Sequence, residues 1–264
     1  MDLQPIRAFL KSKLTDERIE RLKRFQALRF RRTQHFFCRL FFGRNLKALS
    51  VINHSDKWGY HFYAPHYERH FKPYRGRPIT LLEIGIGGYD DPRVGGGSLR
   101  MWRSYFPKGH IAGIDIYDKQ LHEEKRIRTF QGSQVDSEFL ARVIDEIGKA
   151  DIIIDDGSHL NEHVIESFRL LFPKLAEGGL YVVEDTHTAY LESKGGSSHD
   201  LNATTSSMGF LKQLVDSVNA KEIEGRQPRL GDGEIKGIHF YHSLVIIQKG
   251  RCTEPASNRF GSDG

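Results

Sequence analysis

A chain of 264 residues can bury one large core and leaves little room for two compact domains. Hydrophobic residues at 38% and charged residues at 28% exclude wholesale disorder, and two distant cysteines, Cys38 and Cys252, exclude a disulfide framework or a thiolate zinc site. A net charge of +5 leaves contact with an anionic partner open but specifies no ligand.

The N-terminal stretch "MDLQPIRAFLKSKLTDERIERLKRF" has no apolar signal-peptide region, and no window approaches the ~18 apolar residues of a membrane helix. A cytoplasmic location follows as the expectation. Residues 1–53 read as a basic helical segment for packing, lid formation or oligomerisation. Arg21, Lys23, Arg24, Arg29, Arg31, Arg32 and Arg39 supply the charge, and Leu14, Ile19, Leu22, Phe25 and Leu28 recur at helical spacing. Such a stripe predicts packing on the body or on a second subunit, hence a homo-oligomer. Phe36, Phe37, Phe41 and Phe42 among the basic residues keep a nucleic-acid-binding module as a rival reading, although no stable nucleic-acid partner is expected.

From residue 79 short apolar runs alternate with helical patterns, the signature of βαβ units and a parallel sheet. The runs are "ITLLEIGIG" (79–87), "HIAGIDI" (110–116), "TFQGS" (129–133), "ADIIIDD" (150–156) and "GLYVVED" (179–185). Helices are predicted at 99–105, 137–147, 161–175 and 207–219. "GIHFYHSLVIIQK" then holds two runs joined so tightly that they must be antiparallel. The expected fold is a doubly wound, Rossmann-like α/β sheet, mostly parallel, with a C-terminal antiparallel hairpin. It occupies residues 54–250, and 251–264 read as a flexible tail.

The first strand runs into "EIGIGG", with Glu83, Gly85, Gly87 and Gly88, where an open α/β sheet holds its ligand. A dinucleotide turn continues Gly-x-Gly-x-x-Gly directly into a helix, so that the helix N-terminus meets the pyrophosphate. Here Asp90 takes the last glycine's position, Asp91 follows, and "YDDPRVGGG" delays the helix to about Ser98. Acids there repel a pyrophosphate and tolerate a cation. Glu83 suits an ammonium, and Asp115, at the end of the second strand, suits ribose hydroxyls. A ligand with a ribose, a cationic amino-acid end and no phosphate satisfies both, and S-adenosylmethionine is such a ligand. Helix capping or salt bridging would also account for Glu83 and Asp115.

Asp155 and Asp156 end the fourth strand, and Glu184 and Asp185 end the fifth. Neighbouring strands lie ~4.8 Å apart, so these acids converge and need a positive charge among them. Hard oxygen donors with room for water suit Mg²⁺. His159 follows Gly157 and Ser158 at a helix start, where the positive end of the macrodipole favours neutral imidazole, a competent general base. The strand thus brings Asp156 to a metal and the turn brings His159 to a substrate hydroxyl. His163 reads as a packing residue. A surface acid cluster beside a helix capped by Ser158 is the alternative.

At these residues the chain resembles the Mg²⁺- and S-adenosylmethionine-dependent O-methyltransferases that modify sugar hydroxyls, the macrolide-sugar methyltransferases among them. The resemblance covers about residues 54–248 and rests on "SDKWGYHFYAPHYERHF", "LLEIGIGGYDDPRVGGGSLRMW", "GIDI", "IIDDGSH", "GGLYVVEDTHTAY" and "IHFYHSLVIIQK". It implies a class I methyltransferase fold, a glycosyl-hydroxyl acceptor, and Asp156, Glu184 and Asp185 as metal ligands with His159 as base. Glu83, Gly85, Ser98, Asp115 and Gln134 would line the cofactor, joined by Gly87 and Asp155. His61–Phe71 would fold over the site, with aromatic core packing as the alternative. A catechol or phenolic O-methyltransferase is the second enzymatic reading, and a dinucleotide oxidoreductase fits least.

Overall fold

The computed structural model describes residues 42–251 and 253. The apolar stripe of residues 14–28, the basic side chains of residues 21–39, Phe36, Phe37, Phe41 and nearly all of the tail lie outside the described residues. In chain order the elements are α1 (Leu46–Ile52), α2 (Ala64–Phe71), β1 (Thr80–Ile84), α3 (Gly97–Tyr105), β2 (His110–Asp115) and β3 (Ile127–Gln131). They continue with α4 (Ser137–Ile147), β4 (Ile152–Asp155), α5 (Asn161–Leu171), β5 (Leu180–Glu184), α6 (Ser207–Val218), β6 (Ile235–Tyr241) and β7 (Leu244–Lys249).

The strands form one sheet in the order β3-β2-β1-β4-β5-β7-β6. The neighbours among β1 to β5 pair in parallel, while β7 runs antiparallel between β5 and β6. The expected hairpin is therefore present, with its second strand inserted inside the sheet. The direction of winding reverses between β1 and β4, which opens a crevice beyond their carboxyl ends.

Alternation along the strands divides the core. Leu81, Ile152, Ile154, Leu180 and Val182 face α2 and α3, where Tyr67, Phe71, Leu99 and Trp102 are buried. Leu82, Ile153, Tyr181 and Val183 face Phe139, Val143, Phe168, Leu171 and Leu211 of α4, α5 and α6. Leu46 and Leu49 of α1 are fully buried in the first layer, so the folded body begins upstream of the boundary expected at residue 54. Helix α5 stops at Leu171 instead of 175 because Pro173, which has no N–H, turns the chain into a 3₁₀ segment. Among the described residues no helix is long and apolar enough to cross a membrane.

Candidate active site

The turn after β1 places Gly85 at φ +89° and Gly87 at φ +80°, a region that L side chains rarely adopt. A Cβ on Gly85 would also lie 2.1 Å from the Asp156 carbonyl oxygen, so this position requires glycine on two counts. The turn borders a cavity of about 860 Å³ beyond the carboxyl ends of the central strands. Gly85, Gly87, Ser98, Asp115 and Gln134 line it, as do Asp156, His159 and Asp185. Asp115 is held rigidly, its two carboxylate oxygens accepting from the Ile86 amide at 2.9 Å and the Tyr117 amide at 3.0 Å. Gln134 accepts from the Ser158 amide at 2.9 Å and donates to Ser167 at 2.8 Å, which fixes the β4 turn.

The acids at the strand tips separate by face. Strand alternation sends Glu83, Asp156 and Glu184 toward the α2/α3 layer, where a cation from far upstream meets them. Lys57, fully buried, donates to Asp156 Oδ2 at 2.8 Å, and its Nζ lies 2.8 Å from Glu184 Oε1 and 3.5 Å from Glu83 Oε1. Burial alone would lower the Lys57 ammonium, but Asp156, Glu184 and Glu83 together hold it well above the ordinary lysine range. Burial raises Glu184 well above the usual carboxylate range and pushes Glu83 up to about 7, each partly offset by Lys57. The Tyr67 hydroxyl also donates to Glu184 Oε1.

Asp156 and Asp185, with side chains 19% and 16% exposed, face the cavity beside His159. His159 Nε2 lies 3.7 Å from Asp185 Oδ2 and 4.0 Å from Asp156 Oδ1. His159 sits two residues before the first residue of α5, at φ +56°, and Asp185 sits at φ +51°. Left-handed backbone at two non-glycine residues costs roughly 1 kcal/mol or more at each, and the surrounding contacts must impose it. For Asp185 those contacts include the Tyr63 hydroxyl, donating at 2.6 Å, and His61 Nε2 at 3.6 Å. Tyr63 donates as well to the Ser243 carbonyl at 3.1 Å, tying the site to the β6–β7 turn. Ser158 Oγ pairs with His163 Nδ1 at 2.9 Å, so His163 braces the turn as a packing residue would.

Three of the expected site residues lie off the cavity lining. Glu83 does not line the cavity; it is fully buried, accepting from Ser98 Oγ at 2.7 Å and Trp102 Nε1 at 3.2 Å, and the ammonium it meets is that of Lys57. Asp155 also stays off the cavity, because adjacent strand residues point to opposite faces and it turns toward Gln134 Nε2 at 3.2 Å. Burial there pushes its carboxyl up to about 7. Glu184 is drawn to Lys57 and Tyr67, away from the cavity lining. Within the aromatic segment, Tyr63, Tyr67 and Phe71 join the core, whereas Tyr60 and His61 reach the cavity.

Lys57, Tyr63 and Tyr67 carry no spacing that marks them as site residues. The one signal for Lys57 was the need of the converging acids for a positive charge.

This strand order, with a glycine turn at β1, an acid ending β2 and acids at the tips of β4 and β5, defines a class I methyltransferase fold. No protein-family model matches the chain. Mycinamicin VI 2''-O-methyltransferase of Micromonospora griseorubida is 47% identical over 80% of this chain and 54% of its own length. Demethylmacrocin O-methyltransferase of Streptomyces fradiae is 49% identical with the same coverage. The crystallised MycE methyltransferase of the mycinamycin biosynthetic pathway, bound to Mg, SAH and mycinamycin VI, matches with a TM-score of 0.79. That match has 46% identity and covers 82% of this chain and 56% of that one. Over about four-fifths of its length the chain is thus similar to sugar O-methyltransferases, and it spans about half the length of the curated relatives it matches.

Proposed function

We propose that the chain transfers a methyl group from S-adenosylmethionine to a hydroxyl of a glycosylated acceptor, with Mg²⁺ at the acidic strand tips. The observation that carries this reading is one cavity with two unlike walls. A backbone cradle and a rigid carboxylate, Asp115, form one wall, and Asp156, Asp185 and His159 form the other.

The cavity's size lies in the range of small-molecule and cofactor sites. Asp115 accepts from the ribose hydroxyls, and the side-chain-free edge at Gly85 and Gly87 lets the ligand approach the backbone. The donor set fits magnesium. Asp156, His159 and Asp185 each offer a ligand atom within 4.8 Å of the others, the two carboxylates are hard oxygen donors, and their partial exposure admits water. Asp156 and Asp185 would hold the ion, while Glu184, expected as a third ligand, is engaged by Lys57 in this structure. When bound, the ion supplies polarisation of the acceptor hydroxyl.

His159 accepts the proton from that hydroxyl, and Asp185 and Asp156 beside it favour the imidazolium so formed. Tyr63 and His61 keep the Asp185 carboxylate turned to the cavity. Residues 54–250 supply the catalytic domain in this reading, extended upstream by α1, and the basic residues before it serve assembly.

Calorimetric titration with S-adenosylhomocysteine, with and without Mg²⁺ and with NAD as control, tests the assignment. One-site binding of the homocysteine compound alone is the expected result, and binding of NAD instead would overturn it. Methyl transfer to glycosides but not to catechols separates the sugar reading from the phenolic one.

A further inference from the structure

His159 stands in left-handed backbone at φ +56°, and its neighbours must hold it there. The peptide that joins it to Ser158 is held at the carbonyl, where Lys194 Nζ donates to the Ser158 oxygen at 3.0 Å. The peptide before it is held through the Ser158 amide on Gln134 Oε1 at 2.9 Å. The φ angle of His159 is a rotation of the Ser158–His159 peptide plane about the His159 N–Cα bond, so a donor fixed on that carbonyl limits the rotation. A released plane would turn toward negative φ, where a residue with a Cβ is at ease. It would carry the imidazole away from Asp185 and Asp156, which now lie 3.7 and 4.0 Å from Nε2.

Two residues on, Asn161 closes the arrangement. It opens α5 and is 1% exposed. Its Nδ2 donates to the Lys194 carbonyl at 2.8 Å and to the Thr188 carbonyl at 3.2 Å, while Oδ1 accepts from the Ser207 amide at the start of α6 at 2.6 Å. The β4–α5 turn and the segment after β5 therefore hold each other twice: Asn161 by its side chain on the Lys194 main chain, and Lys194 by its side chain on the Ser158 main chain. Lys194 is placed by a short 3₁₀ turn, Glu192–Lys194, that ends at Gly195 with φ +74°. Gly196 then passes close to Ala189, whose carbonyl oxygen would lie 2.2 Å from a Cβ there.

We propose that Lys194 and Asn161 form a reciprocal clasp that fixes His159, with Lys194 as the positioning residue for the imidazole. Its effect on turnover rests on the reading of His159 as proton acceptor given above; the clasp itself rests on the contacts alone. Lys194 borders the same cavity, but its ammonium is turned to the Ser158 carbonyl, so its influence on the reaction passes through the turn.

The test compares full-length wild type with K194M, K194R and H159A. Methionine keeps a long side chain and removes the donor, whereas arginine keeps a cationic donor. Histidine-selective ¹³C NMR, with His159 assigned by its loss in H159A, reads the ring. Methyl transfer reads kcat and KM, and calorimetry reads S-adenosylhomocysteine affinity. In K194M the His159 resonance should shift or broaden and kcat should fall roughly 10- to 100-fold. Acceptor KM and homocysteine-compound affinity should stay within about twofold, and K194R should recover the resonance and return kcat to within about threefold of wild type.

An unmoved His159 resonance in K194M overturns the clasp. With H159A inactive, an unchanged kcat in K194M overturns its positioning role, and K194R as impaired as K194M overturns it in favour of packing by the lysine stem. If K194M cannot be obtained folded, N161S is measured in its place, since it withdraws the donor from the Lys194 carbonyl; the same resonance should move, and an unmoved one overturns the proposal. H159A that retains turnover overturns the reading of His159 as proton acceptor, and the resonance of K194M then judges the clasp separately.

Discussion

The two walls of the cavity reach a defined geometry by different means. The β1–β2 wall is made mostly of backbone: positive φ at Gly85 and Gly87, and an Asp115 carboxylate pinned by two main-chain amides. Its parts lie within about thirty residues of each other and hold one another in place. The β4–β5 wall is made of charge, and charge brought together must be compensated. Its acids rely on Lys57, Tyr63 and Tyr67, which stand far upstream. A wall of backbone is specified locally and recognises shape, whereas a wall of carboxylates needs distant partners and provides chemistry.

Substitutions that touch one wall only should separate the two. His159→Ala should have the largest effect, lowering kcat about 10³-fold while the affinity for S-adenosylhomocysteine stays within about twofold. Steady-state methyl transfer and calorimetry measure the pair, and retained turnover would remove His159 from the proton path. Asp185→Asn should lower kcat/KM about 10²-fold and raise the Mg²⁺ concentration needed for half-activity, again with little change in homocysteine-compound binding. Normal activity of that variant in chelator would refute the metal assignment. On the opposite wall, Asp115→Ala should weaken S-adenosylhomocysteine about 10- to 100-fold and leave Mn²⁺ binding unchanged. Loss of both would show that the walls are not independent.

The smallest effect concerns the support of the charged wall. Helix α2 carries Tyr67 and packs His70 against Tyr241 at 2.8 Å and against the His239 ring, centroids 4.5 Å apart. Burial, followed by the charges of His239 and Arg69, pushes His70 down from 6.5 to about 4. Between those values the unfolded chain holds a proton that the folded chain lacks, so the stability contributed by neutral His70 is present above about pH 6.5 and is lost as pH falls toward 4. His70→Asn should therefore show a smaller fall in melting temperature between pH 7 and pH 5 than wild type. An unchanged fall would place the acid sensitivity elsewhere.

Much of this architecture was legible in the sequence. The five parallel runs, the hairpin and α4 at residues 137–147 follow from periodicity, and "EIGIGGYD" departs from a pyrophosphate turn in the residues themselves. The insertion of β7 between β5 and β6 was not legible, since tight spacing fixes the antiparallel sense but not which strand borders β5. The position of Asp155 off the cavity lining had a signal in the sequence, since successive strand residues alternate faces and Asp155 and Asp156 therefore point to opposite sides of the sheet. For Lys57 the sequence offered only the acids' need for a positive charge and not which residue meets it, because a buried ion pair between residues 99 apart is a property of the folded chain.

Those separations bear on how the protein is made. Lys57 is 99 residues from Asp156, Tyr67 is 117 from Glu184, and Tyr63 is 180 from Ser243. On the ribosome the segment holding Lys57 emerges long before Asp156 and Glu184, the two carboxylates nearest its ammonium, and its polar groups must stay hydrated until β4 and β5 follow. Tyr63 waits longer, for the turn between the last two strands. Contacts of such range form late and slowly, so the charged wall would be among the last parts to settle, and a nascent chain stalled before β6 would carry the glycine turn and the acids with the Tyr63 clasp still unmade.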